Sequence, residues 1–165
     1  MITISEATSN DIKTIQEIVF ITWPITYKDI LSRTQLDYML NLFYSEESLI
    51  AEFNKRNQLF YLITEEETVL GFIGIEHHYQ GESRTKIHKI YILPETQGKG
   101  IGRIVVEAVE KLALENNSTS ILLNVNRFNK ALHFYQKIGF KIIDEVNIEI
   151  GNGYLMEDYV MEKKS

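Results

Sequence analysis

The spacing of apolar residues changes along the chain and predicts an order of strands and helices. Apolar and polar residues alternate over Met1–Ala7, which predicts a first strand, and a polar cluster after it marks the start of a helix. Apolar residues at helical spacing then predict three helical stretches. The first runs to about Phe20, before Pro24 interrupts the pattern, and the next two begin at the capping residues Ser32 and Ser45.

The middle of the chain changes to the spacing of strands. Apolar runs over 58–64, 68–79 and 86–93 follow one another with short polar connections, which predicts antiparallel strands. A long apolar stripe at helical spacing begins at Ile101, and a strand, a helix closed by Gly139 and two strands joined by a glycine-containing turn complete the chain. One strand–helix–strand crossover is therefore predicted within an otherwise antiparallel sheet.

Composition limits the class of protein. The 165 residues are 44% hydrophobic and 24% charged, so we predict a single globular domain over residues 1–165. The chain has no cysteine, which excludes a disulfide framework and a thiolate metal site, and we expect no metal. We identify neither a signal peptide nor an apolar run approaching the roughly 18 residues of a membrane span, which predicts a cytoplasmic protein without a membrane partner.

The charge balance bears on partners. Lys and Arg total 17 against 23 Asp and Glu, for a net charge of −6. Nucleic-acid binding relies on neutralising phosphates, so this balance argues against a nucleic-acid partner. It would suit a small cationic substrate through electrostatic steering, although many ordinary cytosolic proteins carry a similar charge.

The segment ILPETQGKGIG at 92–102 carries three of the chain's 9 glycines between a predicted strand and a predicted helix. A P-loop would need Ser or Thr after its lysine, and a dinucleotide fingerprint would need glycine where Arg103 stands. A helix N-terminus offers unpaired backbone N–H groups, and glycines let a pyrophosphate approach them. Lys99 and Arg103 add positive charge. A turn alone would need fewer glycines, so the pattern favours anion binding.

Two motifs in this half of the chain resemble the GNAT superfamily of N-acetyltransferases. P-E-T-Q-G-K-G-I-G-R at 94–103 is similar to the family pattern Q/R-x-x-G-x-G/A, and LNVNRFNKALHFYQKIGF at 123–140 is similar to its second signature. One helix and one strand separate the two, as in the family. The resemblance implies the family's α/β (α+β) fold: a central mixed, mostly antiparallel sheet of about seven strands, four to five helices, and a splay between two parallel central strands.

The resemblance implies acetyl-CoA as the cosubstrate. The pantetheine arm would pair with the strand edge at Ile90, Tyr91 and Ile92. Asn129, with Asn126 as the second candidate, would contact that arm, although one residue fewer than usual separates Asn129 from the following alanine. The residues implied in holding the pyrophosphate are Gln97, Gly98, Lys99, Gly100, Ile101, Gly102 and Arg103.

Catalytic residues follow from the same resemblance. Tyr135 resembles the family's general acid, which protonates the departing CoA thiolate, and helix packing is its alternative role. For the general base, the strand position where some members carry glutamate holds Asn124, which cannot accept a proton. His88, on the strand before the glycines, is the candidate base, and Glu76 is a further candidate.

The predicted helices near the start combine many aromatic residues with Asp29 and Asp37. Their segments W-P-x-x-Y and Q-L-D-Y-M-L are similar to a branch of the family that includes polyamine acetyltransferases, which implies a small-molecule amine as acceptor. Cation–π contacts and carboxylates would suit such an amine, and packing on the sheet is the alternative role. Glu157 and Asp158 are further acidic candidates. The aromatic residues are Trp23, Tyr27, Tyr38, Phe43 and Tyr44.

Other functions fit parts of the pattern. A regulator that binds acyl-CoA without chemistry would not need Tyr135. A protein or peptide acetyltransferase would need an open groove, and a toxin-type enzyme acting on aminoacyl-tRNA would favour a basic surface. Family members often pair through the sheet edge or the C-terminal strands, so the resemblance also includes a homodimer among the options.

Overall fold

Seven strands form one open sheet in the computed structural model, which describes residues 1–96 and 98–165. The strands are β1 (Ile2–Glu6), β2 (Leu59–Glu65), β3 (Thr68–Glu76), β4 (Arg84–Ile92), β5 (Ser120–Asn126), β6 (Lys141–Glu149) and β7 (Leu155–Lys164). Their order across the sheet is β1-β2-β3-β4-β5-β7-β6, and only the β4–β5 pair is parallel. The predicted fold class and order of elements are confirmed.

Among the described residues, five α-helices cover the two faces of the sheet. They are α1 (Ile12–Thr26), α2 (Arg33–Tyr44), α3 (Glu46–Lys55), α4 (Ile101–Glu115) and α5 (Ala131–Lys137). The predicted caps are confirmed, because the Ser32 hydroxyl accepts the Gln35 N–H at 3.1 Å and Ser45 caps α3 in the same way. Within the described residues, no helix is both long and apolar enough to cross a membrane.

The first helix continues past its predicted end. It runs through Pro24 to Thr26, and the Tyr27 N–H donates to the Trp23 carbonyl at 3.0 Å to close the last turn. A proline inside a helix costs about 3 kcal/mol. Thr22 and Trp23 are buried on the sheet, and this burial offsets the cost, so local sequence pattern misplaced the boundary.

Each face of the sheet has its own core. Val105 of α4 and Phe140 after α5 are buried on one face, together with Ile73 of β3. Val19 of α1 and Leu49 of α3 are buried on the other face. The apolar stripe predicted for α4 faces the first core, so α4 lies on this face of the sheet and begins just beyond the end of β4.

The parallel strands β4 and β5 separate halfway along their length. Their ladder ends at the pair Ile87 and Leu123, although β4 continues to Ile92 and β5 to Asn126. We call the space between the two strands beyond this pair the gap. It corresponds to the splay that the resemblance implied.

A β-bulge at His88 lies where the gap begins. Ile87 lies opposite Ile75 and Lys89 opposite Gly74, so His88 is the extra residue on β4. A bulge disrupts the ladder locally and bends the bulged strand. The bend in β4 therefore contributes to its divergence from β5.

Candidate functional site

The glycine segment forms the N-terminus of α4, just beyond the end of β4. Gly98 and Gly100 have positive φ angles of 85° and 71°, and a Cβ atom on either would meet nothing within 4 Å. Among the described residues, the first helical bond runs from the Ile104 N–H to the Gly100 carbonyl at 3.2 Å, so the N–H groups of Gly102 and Arg103 have no helical partners there. Open space beside these donors is what an approaching phosphate needs. Gln97 lies outside the described residues.

The side chains around this helix end differ in their roles. Lys99 and Arg103 are exposed and add positive charge there. Ile101 is buried in the core, so only its backbone faces the loop. A Cβ on Gly102 would lie 3.0 Å from the Phe134 ring, so this glycine allows α4 to pack closely on α5.

The edge of β4 beside the gap carries three of the predicted binding residues. Ile90, Tyr91 and Ile92 pair with β3 on one side, and β4 has already left its ladder with β5 at this point on the other side. An extended molecule with amide groups can pair with such an edge as an added strand does. The structure therefore brings the free edge and the helix N-terminus together at the mouth of the gap.

Both candidate asparagines use their side-chain oxygens locally. The Phe128 N–H donates to Asn126 Oδ1 and the Ala131 N–H donates to Asn129 Oδ1, each at 2.9 Å. These bonds shape the turn from β5 into α5. They leave the side-chain N–H groups of Asn126 and Asn129 as the donors that a ligand could use.

Tyr135 lies on α5 and is 7% exposed. Its ring packs against Phe134 and Phe140, at centroid distances of 5.4 and 5.7 Å. Burial raises the pKa of Tyr135 well above that of a free tyrosine, and the neighbouring Tyr91 raises it further. The side chain therefore packs the helix and also keeps its proton over the whole physiological pH range.

The aromatic residues of the N-terminal helices form a cluster with Tyr91. The ring of Tyr91 lies 6.0 Å from that of Trp23 and 6.4 Å from that of Tyr44, between centroids. Trp23 and Tyr44 are buried, so the alternative role of packing on the sheet holds for these two. Asp29 and Asp37 are exposed.

A cleft of about 230 Å³ opens between the α1–α2 connection and the β6–β7 hairpin. Tyr38 of α2 donates its hydroxyl proton to the Ile150 carbonyl at 2.6 Å, and its ring lies 5.4 Å from that of Tyr154. These contacts hold the two walls together beside the carboxyl end of β5. The cleft is lined by Ile30, Leu31, Gln35, Asn126, Phe128, Gly153, Tyr154, Leu155 and Glu157.

A row of polar side chains crosses four neighbouring strands beside the gap. We call it the polar row: Glu76 of β3, Lys86 and His88 of β4, Asn124 of β5 and Asp158 of β7. Lys86 Nζ donates to Asn124 Oδ1, and His88 Nε2 lies 2.9 Å from Glu76 Oε1. The candidate base His88, its alternative Glu76 and the acidic candidate Asp158 thus belong to one arrangement.

Burial controls the protonation of this row. It lowers the pKa of Lys86 to about 8, and it lowers the pKa of His88, an effect that the hydrogen bond with Glu76 partly offsets. Burial also raises the pKa of the Asp158 carboxyl, which the Asn124 amide and nearby cations partly offset. Groups with shifts of this kind, grouped here beside the gap, are typical of sites that move protons.

The sequence did not single out Lys86. A lysine at the start of the apolar run KIHKIYIL was the available signal, because such a strand is buried and a lysine within it needs a partner. In the ranges 1–96 and 98–165, no group of three or more His, Cys, Asp or Glu side chains is placed to hold a metal ion.

Comparisons with known proteins, by sequence and by structure, both find acetyltransferases. Residues 14–140 match the model of the Acetyltransferase (GNAT) family. The spermidine N(1)-acetyltransferase of Thermoplasma acidophilum is 27% identical over 168 residues, which cover 99% of this chain and 97% of that protein. The uncharacterized N-acetyltransferase YuaI of Bacillus subtilis is 28% identical over 163 residues, which cover 95% of this chain and 90% of that protein.

Among solved structures, the PaiA N-acetyltransferase from Thermoplasma acidophilum in complex with coenzyme A is similar over the whole fold. The TM-score is 0.83 at 27% sequence identity, and the match covers 100% of this chain and 99% of that chain.

Proposed function

The chain belongs to the GNAT family of acetyltransferases, and from this premise we propose that it transfers the acetyl group of acetyl-CoA to a primary amine of a small cationic molecule. Residues 1–165 act as one catalytic domain in this proposal. The observation that carries it is the gap between β4 and β5. The N-terminus of α4 lies at the open end of this gap, and Tyr135 lies close to Tyr91 on the β4 side of it.

The chain's own residues fit acetyl-CoA, which supplies an acetyl group activated as a thioester. Backbone N–H groups from Gly98 to Arg103 would hold the pyrophosphate, because the space beside Gly98 and Gly100 is open and the helix end is positive. The edge at Ile90–Ile92 would pair with the amides of the pantetheine arm. The side-chain N–H groups of Asn126 and Asn129 would add contacts to that arm.

Tyr135 is the general acid in this proposal. A thiolate leaves when an amine attacks a thioester, and a phenol that keeps its proton can donate it to the departing sulfur. The raised pKa of Tyr135 ensures that the donor is protonated at neutral pH, and it also makes the phenolate recover a proton readily.

The cleft beside β5 is the proposed site of the acceptor. Glu157 lines it and the net charge of −6 attracts cations. The relative from Thermoplasma acidophilum is named a spermidine N(1)-acetyltransferase, so spermidine is the first acceptor to test.

The proposal is tested by release of free thiol from acetyl-CoA with a panel of acceptors. The panel contains spermidine, spermine, an aminoglycoside, amino acids and a lysine-containing peptide. We expect turnover with a polyamine well above that with the peptide. Turnover with the peptide alone would assign a protein acetyltransferase instead. Thermal stabilisation by acetyl-CoA without turnover of any amine would assign a non-catalytic acyl-CoA-binding module.

In this proposal His88, at the exposed end of the polar row, is the base that passes the proton released by the reaction on to solvent. Because the Glu76 carboxylate accepts the Nε2 proton, Nδ1 is the nitrogen left to accept another. His88→Gln is expected to lower kcat about tenfold at pH 7, and less at high pH, where the free amine is more abundant. His78→Gln, in the exposed turn after β3, is the control. An unchanged pH–rate profile for His88→Gln would remove His88 from the mechanism.

A further inference from the structure

Asp158 is a buried carboxylate in the middle of β7. Its residue is only 4% exposed, and it lies between Asn126 of β5 and Val146 of β6 in the sheet. Within the part of the chain that the structure describes, it forms no ion pair. Burying a carboxylate without a paired cation is costly. A buried carboxylate without a paired cation, beside the gap, is a candidate for a role in function.

The polar groups that act on Asp158 lie on β4, on and after β5, and at the end of α1. Lys86 and Tyr91 approach from β4, Asn124 from β5, and Tyr27 from the end of α1, while Arg127 follows β5.

The two nearest cations already have partners. Lys86 donates to Asn124 and lies 5.1 Å from the centre of the Tyr79 ring, and Arg127 donates to the Val146 carbonyl at 3.0 Å. They moderate the charge of Asp158 without binding it directly. A cation that binds Asp158 directly would therefore come from outside the chain.

We propose that Asp158 binds the ammonium group of the acceptor and accepts its first proton. The inference rests on the proposed function and deepens it. Asn124 and Asp158 lie on neighbouring strands two positions apart in register, so β7 supplies the carboxylate that β5 lacks.

The proton balance of the reaction requires such a group. An ammonium that becomes an amide loses two protons, and the departing sulfur takes up only one. At Asp158 an N–H bond breaks and an O–H bond forms, and the freed nitrogen lone pair makes the C–N bond while the C–S bond breaks. Tyr135 gives its proton to sulfur and recovers one from nitrogen. Asp158 then releases its proton toward solvent, where His88 is the exposed end of the polar row.

Three proteins test the inference: the wild type, Asp158→Asn and Glu162→Gln, a matched carboxylate-to-amide change four residues further along β7. At pH 7 we expect kcat/KM for spermidine to fall at least about 30-fold in Asp158→Asn. The difference in kcat/KM between Asp158→Asn and the wild type should become smaller as pH rises, because more free amine is then present in solution. We expect Glu162→Gln to match the wild type.

Binding supplies a readout that does not depend on turnover. Calorimetry with spermidine in the presence of CoA, which cannot donate an acetyl group, should show at least about tenfold weaker binding to Asp158→Asn. Binding of CoA itself should be the same in all three proteins. His88→Gln should bind spermidine like the wild type, which separates the two residues.

Thermal stability checks that the variant is folded. The folded pKa of Asp158 is raised above its unfolded value by burial, so its protonated form stabilises the fold and this contribution is lost as pH rises through the folded pKa. At neutral pH the ionised carboxyl costs stability. Asp158→Asn should therefore have a Tm at least equal to that of the wild type at pH 7. If it does not fold, Asp158→Glu, which retains the carboxylate, should keep a measurable part of the activity and of the spermidine binding.

The outcomes separate the inference from the proposed function. A wild type that acetylates spermidine, together with an Asp158→Asn that matches it in pH profile and in binding, overturns the inference alone. A wild type that acetylates only the peptide overturns the small-molecule proposal, and the same comparison then decides the role of Asp158 with the peptide amine. A wild type that binds CoA but neither binds nor acetylates any amine overturns both.

Discussion

Replacement of Tyr135 by phenylalanine is expected to lower kcat for acetyl transfer about a thousandfold. The ring stays, so the packing against Phe134 and Phe140 is retained. What is lost is the proton donor for the departing sulfur. The rate is measured as thiol release from acetyl-CoA with saturating spermidine, and folding is measured as Tm.

The pH dependence sharpens this prediction. Because burial raises the pKa of Tyr135, the hydroxyl stays protonated at every pH used for the assay, and the wild type should show no loss of activity from its ionisation below pH 10. The control is Tyr61→Phe, which removes a hydroxyl from β2 on the edge of the same core. A Tyr135→Phe protein with wild-type kcat would leave Tyr135 with a packing role only.

Replacement of Gly100 by alanine is expected to raise the KM for acetyl-CoA about a hundredfold. The new methyl group would occupy the open space beside the free N–H groups of α4, and a phosphate that cannot approach them loses charge-assisted hydrogen bonds of about 1.5–3 kcal/mol each. We expect kcat at saturating acetyl-CoA to change little, because Tyr135 and the polar row are untouched. Initial rates over a range of acetyl-CoA concentrations measure both constants.

Strain at Gly100 needs a separate control. Its φ of 71° costs a non-glycine residue about 1–2 kcal/mol, so alanine there also lowers stability. Gly81 has a φ of 75° and open surroundings in the turn between β3 and β4. Gly81→Ala should lose a similar amount of stability and keep the wild-type KM. An equal rise of KM in both variants would show that strain, rather than blocked phosphate binding, causes the effect.

Features that depend on a few neighbouring residues could be predicted from the sequence. The stripe of α4, the caps at Ser32 and Ser45, and the glycines before Ile101 are set by periodicity and capping chemistry within one or two turns. The order of elements followed from them. Pro24 was the exception, because the burial of Trp23 by a distant strand outweighs a local rule.

Features that depend on pairing between distant strands could not be predicted. The bulge at His88 arises only when β4 takes its register against β3. The contact of Lys86 with Asn124 needs the crossover that places β5 beside β4. Asp158 is an ordinary acidic residue in a terminal strand until β7 is enclosed between β5 and β6. The sequence therefore indicated most members of the polar row, although not Lys86, and it did not indicate the contacts between them.

The gap between β4 and β5 also has a mechanical consequence. Four residue pairs, from Arg84 with Ser120 to Ile87 with Leu123, form the ladder between β4 and β5. Beyond these pairs, β1–β4 and β5–β7 are held together by the core that they share under α4 and by the contact of Lys86 with Asn124. A pantetheine arm paired along Ile90–Ile92 would add backbone hydrogen bonds where the β4–β5 ladder has ended. Binding of the cosubstrate would therefore also stiffen this part of the sheet.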